Sequence, residues 1–223
     1  MLATNFFWTT VDSSVSSSAP VANGLLTDLL SYWALDSSGT PSYGSVKGNY
    51  VSIDNSTGII GESAHFSVVG DYIPLSGSIG PYTTASYSFW VYPNSRADDG
   101  CVLANSGFDS RIFLTITNGW VRLETNTNGQ EFQWNSGAPG LNTWSHVVIA
   151  RAGDNAIAYV NGVSLGQQSV GSAAALTFSY IGIQNRSLVG NIDEVGVWTR
   201  QISATDASAL YNKGAGLAFS SFN

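Results

Sequence analysis

The sequence predicts an all-β protein, an antiparallel β-sandwich that carries one short helix near its C-terminus. From residue 110 onward, short runs of alternating apolar and polar residues are separated by Asn-Gly pairs at 118–119, 128–129 and 161–162. An Asn-Gly pair between alternating runs is the strongest short-range hairpin signal, because a type I′ turn needs positive φ at both central positions. Three such pairs predict a meander of antiparallel strands.

The closing segment, residues 191–214, predicts a buried strand followed by a short helix. Its first half contains the strand-forming apolar residues Ile192, Val195, Val197 and Trp198. Ser203 then stands at the expected N-cap, and Asp206 follows it at the spacing of a capping box. An apolar stripe at i, i+3 and i+4 comes next, and Lys213 and Gly214 mark the expected end of the helix.

Composition limits the classes of function that the chain can have. Seven Trp, ten Tyr and ten Phe in 223 residues, with only 10% charged residues, predict a folded chain with a sizeable core. The net charge is −7 and the eight basic residues are scattered singly, which excludes the clustered basic footprint of a nucleic-acid binder. The absence of an apolar run of about 18 residues predicts no membrane insertion.

The N-terminal residues 1–24 differ in composition from the rest and predict an arm with a linker, before a domain at residues 25–223. Phe6, Phe7 and Trp8 form an aromatic tip, and a serine-rich stretch follows it. The tip either packs on its own domain or docks on a partner or a second copy, since large aromatic anchors are typical binding hot spots. The segment has neither the charged nor the apolar region of a secretory signal peptide.

Several sequence blocks occur in the order found in one known family. The blocks are Tyr32-Trp33-Ala34-Leu35-Asp36, Gly61 to Phe66 with Asp71 to Leu75, Tyr87 to Pro93, Trp144 to Val148, Tyr159-Val160-Asn161-Gly162, and Ile192-Asp193-Glu194-Val195 with the ending Leu210-Tyr211-Asn212-Lys213-Gly214. Together they resemble the laminin G-like, concanavalin A-like jelly rolls. The resemblance implies a jelly-roll sandwich, a lectin-like recognition role and, in some members, bound calcium.

The acidic residues do not form the catalytic pattern of the β-glucanases that share this sandwich. Those enzymes place alternate carboxylates of one strand in a cleft, whereas no two acidic residues here are spaced i, i+2. Asp193 and Glu194 are adjacent, so on a regular strand they would point to opposite faces. His65 and His146 are expected to bond to neighbouring strands, and Cys101 is expected to be a small core residue. The chain is therefore not expected to be an enzyme.

Asp36 and Asp193 are the candidate calcium ligands. Asp36 ends the first strand and Asp193 lies in the last, and these strands are often neighbours in a closed jelly roll. Two carboxylates with backbone carbonyls suit a hard cation that takes six to eight oxygen ligands. The alternative is that Asp193 caps a turn or accepts backbone N–H groups.

Trp120, Arg122 and Trp134 are the candidate ligand-binding residues. Sugars bind to aromatic platforms next to planar hydrogen-bonding groups, and Glu124, Gln130 and Asn135 are close in sequence to the two tryptophans. The alternative is that these tryptophans fill the core.

The predicted function is non-catalytic recognition or adhesion, with a cell-surface glycan or another virion protein as partner. The alternatives are a purely structural decoration protein of a large assembly and, more remotely, a glycoside hydrolase. By analogy, the aromatic arm, the single-domain length and the lack of an export signal suggest a phage protein on the virion surface, at the head or the tail, or an otherwise extracellular one.

Overall fold

Two antiparallel sheets and one α-helix make up the part of the chain that the computed structural model describes, residues 24–95, 99–125 and 130–223. The predicted aromatic tip and the Asn-Gly pair at 128–129 lie outside these residues. The strands are β1 (Leu29–Trp33), β2 (Asp54–Thr57), β3 (Glu62–Phe66), β4 (Tyr72–Tyr82), β5 (Thr84–Pro93), β6 (Gly100–Ala104), β7 (Arg111–Thr115), β8 (Trp120–Glu124), β9 (Glu131–Trp134), β10 (Ser145–Ala152), β11 (Asn155–Val160), β12 (Val163–Ser169), β13 (Leu176–Gly182) and β14 (Gly190–Trp198). The helix is α1 (Ala204–Tyr211), and the predicted all-β sandwich with one short C-terminal helix is confirmed.

The two sheets differ in size and are packed face to face. Eight strands form the larger sheet in the order β12-β11-β10-β5-β14-β3-β2, with β1 also paired to β14, and six form the smaller one in the order β4-β13-β6-β7-β8-β9. The rings of Tyr87 in β5 and Phe178 in β13 meet edge to face across the interface, 5.0 Å between centroids. Alternating apolar residues of both sheets fill this main core, as expected for a sandwich.

A second apolar cluster covers the opposite face of the larger sheet. Helix α1 and the C-terminal residues pack there on Tyr32, Val148 and Trp198. The indole N–H of Trp198 donates to the carbonyl of Leu25, 2.7 Å away. Because both faces of the central strands are covered, these strands are apolar on both sides, and every residue of β14 is buried.

The termini of α1 match the sequence pattern. The hydroxyl of Ser203 accepts from the backbone N–H of Asp206, and the carboxylate of Asp206 accepts from the N–H of Ser203, which completes the capping box. The helix ends at Tyr211, and Asn212 follows with a left-handed backbone. Among the described residues, no helix is both long and apolar enough to span a bilayer.

The two described Asn-Gly pairs both lie in hairpins, with different turns. Asn161 and Gly162 join β11 to β12 with φ of 51° and 74°, the two positive values of the predicted type I′ turn. The β7–β8 hairpin has a longer connection, in which only Gly119 has positive φ and the N–H groups of Asn118 and Gly119 both donate to the carbonyl of Thr115.

Replacing Trp198 with alanine is expected to lower the free energy of unfolding by about 3–5 kcal/mol, the usual range for truncating a large aromatic core residue. The side chain is fully buried, and its hydrogen bond to Leu25 would also be lost. Chemical denaturation of the full chain measures the change, with Trp120→Ala as the control because the Trp120 ring is only half-buried. A loss below about 1 kcal/mol would contradict the role of Trp198 in the second cluster.

Candidate functional site

The outer face of the six-stranded sheet carries most of the residues predicted to bind a ligand. Strand pairing sets Arg111 opposite Glu124 and Phe113 opposite Arg122. Because side chains alternate along each strand, one face of β7, β8 and β9 is polar and aromatic while the other enters the core. This outer face consists of Arg111, Phe113, Trp120, Arg122, Glu124, Glu131 and Gln133.

The charges on the outer face are paired with one another. Arg111 binds the carboxylates of Glu124 and Asp99, the latter at 2.9 Å. Arg122 pairs with Glu131, and Arg186 pairs with Asp99. The guanidinium carbons of Arg111 and Arg122 also lie 4.6 and 4.4 Å from the centroid of the Phe113 ring. Three arginines therefore face three carboxylates, so each of these guanidinium groups already has a charged partner within the protein.

Trp120 and Arg122 come together, whereas Trp134 does not join them. The guanidinium of Arg122 lies 5.9 Å from the Trp120 ring, on the outer face. Trp134 is 2% exposed, belongs to the main core and donates its indole N–H to the carbonyl of Gly166 at 2.8 Å. Its ring has no face open to a ligand, so the alternative of a core residue is the correct one for Trp134. Glu131 and Gln133 occupy the outer positions of β9, and alternation then places Trp134 inside.

A cleft at the other edge of the same sheet was not predicted from the sequence. Its volume is about 210 Å³. Its lining includes Tyr72, Ser106, Phe108, Tyr180, Gln184 and Asn185, and we refer to it as the tyrosine cleft. The two tyrosine rings, on neighbouring strands β4 and β13, meet edge to face with centroids 5.8 Å apart. The residues come from three distant parts of the chain, so no local motif marks the cleft.

Asp36 and Asp193 hold one turn, residues 58–61, between β2 and β3. The carboxylate of Asp193 accepts from the backbone N–H groups of Ile59 at 2.8 Å and Ile60 at 3.4 Å. Asp36 accepts from the N–H of Glu62 at 2.6 Å, and Gly61 packs against its carboxylate so closely that a Cβ would lie 2.4 Å from an oxygen. The two aspartates therefore lie close together, as their positions in the first and last strands predicted.

A β-bulge in β14 corrects the expected orientation of Asp193 and Glu194. Glu194 has a φ of 51°, and the pairing with β5 shifts between Asp193 and Gly196. Ile192 and Val195 on either side both enter the main core, so the two carboxylates do not alternate across the sheet. Glu194 accepts a hydrogen bond from the Tyr32 hydroxyl.

Burial raises the pKa of both carboxylates, and a neighbouring carboxylate adds to the shift in each case, Glu194 for Asp193 and Asp36 for Glu194. Asp193 is 0% exposed and Glu194 is 4% exposed. Burial is the main cause that raises the pKa of Asp193 to about 8, and the charge of Glu194 is the second; burial raises the pKa of Glu194 to about 7.

No Lys or Arg of the described residues forms an ion pair with either Asp193 or Glu194. A bound cation would favour the ionised form of both groups, and calcium prefers oxygen ligands. Because no three Asp, Glu, His or Cys side chains of the described residues converge as a metal site, calcium here would also need backbone carbonyls or water.

The histidines and the cysteine have the predicted structural surroundings. His65 bonds to Asn191 on β14 at 2.6 Å, and His146 bonds to the Ser88 hydroxyl on β5 at 2.8 Å. His146 is fully buried, and burial lowers its pKa to about 3. Cys101 is buried, and burial raises its pKa to about 12, so its thiol stays protonated at neutral pH. The Ser88–His146 pair has no access for a substrate, since both side chains are buried.

Comparison with known sequences identifies a family. The model of a laminin G-like family, described as the concanavalin A-like lectin/glucanases superfamily, matches residues 67–208, more than half of the chain. The matched range runs from the loop before β4 into helix α1. No curated protein sequence matches the chain significantly.

Solved structures with the same fold include binding domains and enzymes. One is domain 4 of a GH43 extracellular arabinanase from Geobacillus stearothermophilus, in complex with arabinotriose. It matches with a TM-score of 0.65 at 17% identity, and the match covers 85% of this chain and 98% of the arabinanase domain. The binding domain of Paraclostridial Mosquitocidal Protein 1 matches with a TM-score of 0.62 at 13% identity, over 84% of this chain and 52% of the toxin chain. A Trypanosoma rangeli sialidase mutant displaying trans-sialidase activity matches with a TM-score of 0.62 at 14% identity, over 86% of this chain and 34% of the sialidase chain. The chain thus spans about half of the toxin domain and a third of the sialidase, and the likeness shows the fold alone.

Proposed function

Because this chain belongs to the concanavalin A-like lectin/glucanases superfamily, we propose that it is a non-catalytic carbohydrate-recognition domain. The observation that carries the proposal is the outer side of the six-stranded sheet. It combines half-buried or exposed aromatic rings with hydroxyl and amide groups, in an open cleft and on the neighbouring outer face. A sugar presents both an apolar C–H surface and hydroxyl groups, and this mixture of side chains complements both. The arabinanase domain bound to arabinotriose supports a carbohydrate ligand for this fold.

The arrangement of the carboxylates supports recognition without catalysis. A glycosidase needs two carboxylates that flank a bond of the bound substrate. Asp193 and Glu194 are close together, but they are buried under Tyr32 and the 58–61 turn. Glu124 and Glu131 on the outer face are each held by an arginine. These contacts favour the lectin-like function over the remote hydrolase alternative.

Glycan binding is expected to be measurable with the full chain on an array of plant, microbial and animal glycans, with arabinotriose as an additional soluble probe. We expect saturable binding to at least one glycan class and no release of reducing ends during incubation. Release of reducing ends would instead support the hydrolase. Absence of binding to every glycan, together with a stable complex with a structural protein, would contradict the proposal and support the decoration function.

The proposed setting is the surface of a phage virion, with residues 1–24 as the docking arm. The composition break supports this: Phe6, Phe7 and Trp8 precede a serine-rich stretch with little capacity to pack. A flexible linker of about ten residues has a reach of roughly 17 Å, enough to meet a neighbouring subunit. The arm would then bind another virion protein or a second copy of this chain, while the jelly roll faces outward.

Deleting residues 1–20 is expected to leave the melting temperature nearly unchanged and to abolish incorporation into the parent assembly. The reason is that the described domain is already packed from Leu25 onward, which is fully buried. Thermal unfolding and co-sedimentation with the assembly are the measurements. If the truncated protein unfolds early, the aromatic tip belongs to the core of the domain, and the chain is better described as a free-standing lectin.

We propose calcium at Asp36 and Asp193 as the cofactor. The buried carboxylates of Asp193 and Glu194, which have no ion pair with a Lys or Arg of the described residues, support this site, and the exposed Asp36 lies beside them. A ligand that binds only the native state stabilises it, so a chelator should lower the melting temperature of the wild-type chain. Asp193→Asn should remove this chelator effect, whereas Asp54→Asn, at an exposed position on β2, should keep it. An unchanged melting curve of the wild type in chelator would contradict the calcium site. The two aspartates would then serve only to accept hydrogen bonds from the backbone of the turn.

A further inference from the structure

We propose that the tyrosine cleft, and not the Trp120–Arg122 surface, holds the ligand, and that its occupant is an uncharged sugar unit. This inference rests on the proposed carbohydrate recognition and assigns the site and the ligand class. The two surfaces lie on the same side of the same sheet, so the choice between them depends on which side chains are free to bind.

Hydrogen-bonding capacity separates the two surfaces. On the outer face, Arg111 and Arg122 already bind Glu124 and Glu131 and stack on Phe113. A ligand would have to compete with these two carboxylates for the guanidinium groups. In the cleft, no polar side chain of the lining bonds to another described residue: the hydroxyls of Tyr72, Ser106 and Tyr180 and the amides of Gln184 and Asn185 all remain available. Each amide offers both a donor and an acceptor, and each hydroxyl can act as either.

Aromatic rings supply the apolar part of the cleft. Tyr72 and Tyr180 form one edge-to-face pair, and Phe108 is 37% exposed on the opposite turn. Exposed aromatic rings beside unengaged amides can bind the apolar face and the hydroxyl groups of a sugar at once. A purely apolar ligand would leave these polar groups without partners.

The charge of the lining indicates a neutral ligand. None of the residues that line the cleft is charged. The nearest cation, Arg186, stacks on Phe108 with its guanidinium carbon 5.4 Å from the ring centroid, and it pairs with Asp99. A sugar carboxylate or sulfate would therefore have to compete with Asp99 for this guanidinium group. The cleft thus favours neutral over acidic sugars.

The walls of the cleft are held in place before any ligand binds. The buried Ser187 hydroxyl accepts from the N–H of Ile183 at 2.7 Å and so fixes the turn that presents Gln184 and Asn185. Phe108 and Asn185 both have left-handed backbones, with φ of 57° and 67°. Asparagine tolerates this conformation, whereas phenylalanine adopts it rarely and at a cost in backbone energy. A pre-formed cleft loses less conformational entropy on binding.

The size of the cleft limits the ligand to a small unit. Its volume of about 210 Å³ is below the roughly 300–1,000 Å³ of sites for drug-sized ligands. It therefore fits the end of a glycan chain, with the remainder of the chain in solvent.

Glycine substitutions test the cleft without imposing strain. Phe108→Gly and Asn185→Gly each remove a side chain at a left-handed position that glycine adopts readily. We expect each to weaken binding of the full chain to its neutral array glycans by roughly tenfold or more, with the melting temperature nearly unchanged. Asn142→Gly, also left-handed but not in the lining, is the matched control, and Trp120→Ala tests the competing surface; both should bind as the wild type does.

The outcomes distinguish this inference from the proposed function. Binding that survives both cleft substitutions but is lost in Trp120→Ala would overturn the cleft and keep the carbohydrate-recognition function. Binding confined to sialylated, uronate-containing or sulfated glycans would overturn the neutral ligand. If the wild-type chain binds no glycan of either class, the proposed function fails and this inference fails with it.

Discussion

The burial of β14 on both faces and along both edges is the constraint on which the rest of the structure depends. One edge pairs with β5, and the other is shared, with β3 beside residues 190–192 and β1 beside residues 195–198. One face enters the main core and the other is covered by α1 and the C-terminal residues. A strand in this position cannot leave a polar group without a partner, because an unpaired buried group costs about 1–3 kcal/mol.

The change of neighbour along β14 explains the buried carboxylates. Pairing with β3 ends at Ile192, and pairing with β1 begins at Val195. The bulge at Asp193 and Glu194 lies between these two points, where the backbone of the 58–61 turn has no strand to bond to. Asp193 accepts from the N–H groups of Ile59 and Ile60, and Asp36 accepts from that of Glu62 at the start of β3. Side chains therefore provide the hydrogen bonds that a neighbouring strand would otherwise make.

Sequence patterns predicted the parts of the fold that depend on local chemistry. The capping box at Ser203, the type I′ turn at Asn161 and the proximity of Asp36 to Asp193 follow from residue type, spacing and strand order. The orientation of Glu194 was not predictable by alternation, because the bulge changes the two-residue period. Trp134 could have been placed inside from its position relative to Glu131 and Gln133. The cleft could not be found, since Tyr72, Phe108 and Tyr180 meet only after the sheet has formed.

The separation between the packed sheets and the turns that carry Phe108 and Asn185 has an evolutionary consequence. Substitutions at exposed turn positions usually change stability by less than about 0.5 kcal/mol, whereas those in β14 would threaten folding. The residues at 106, 108, 184 and 185 can therefore be replaced in this chain while the sandwich is kept. If the tyrosine cleft binds the ligand as proposed, a change of ligand preference would require only a few substitutions and would leave the framework of the sheets constant.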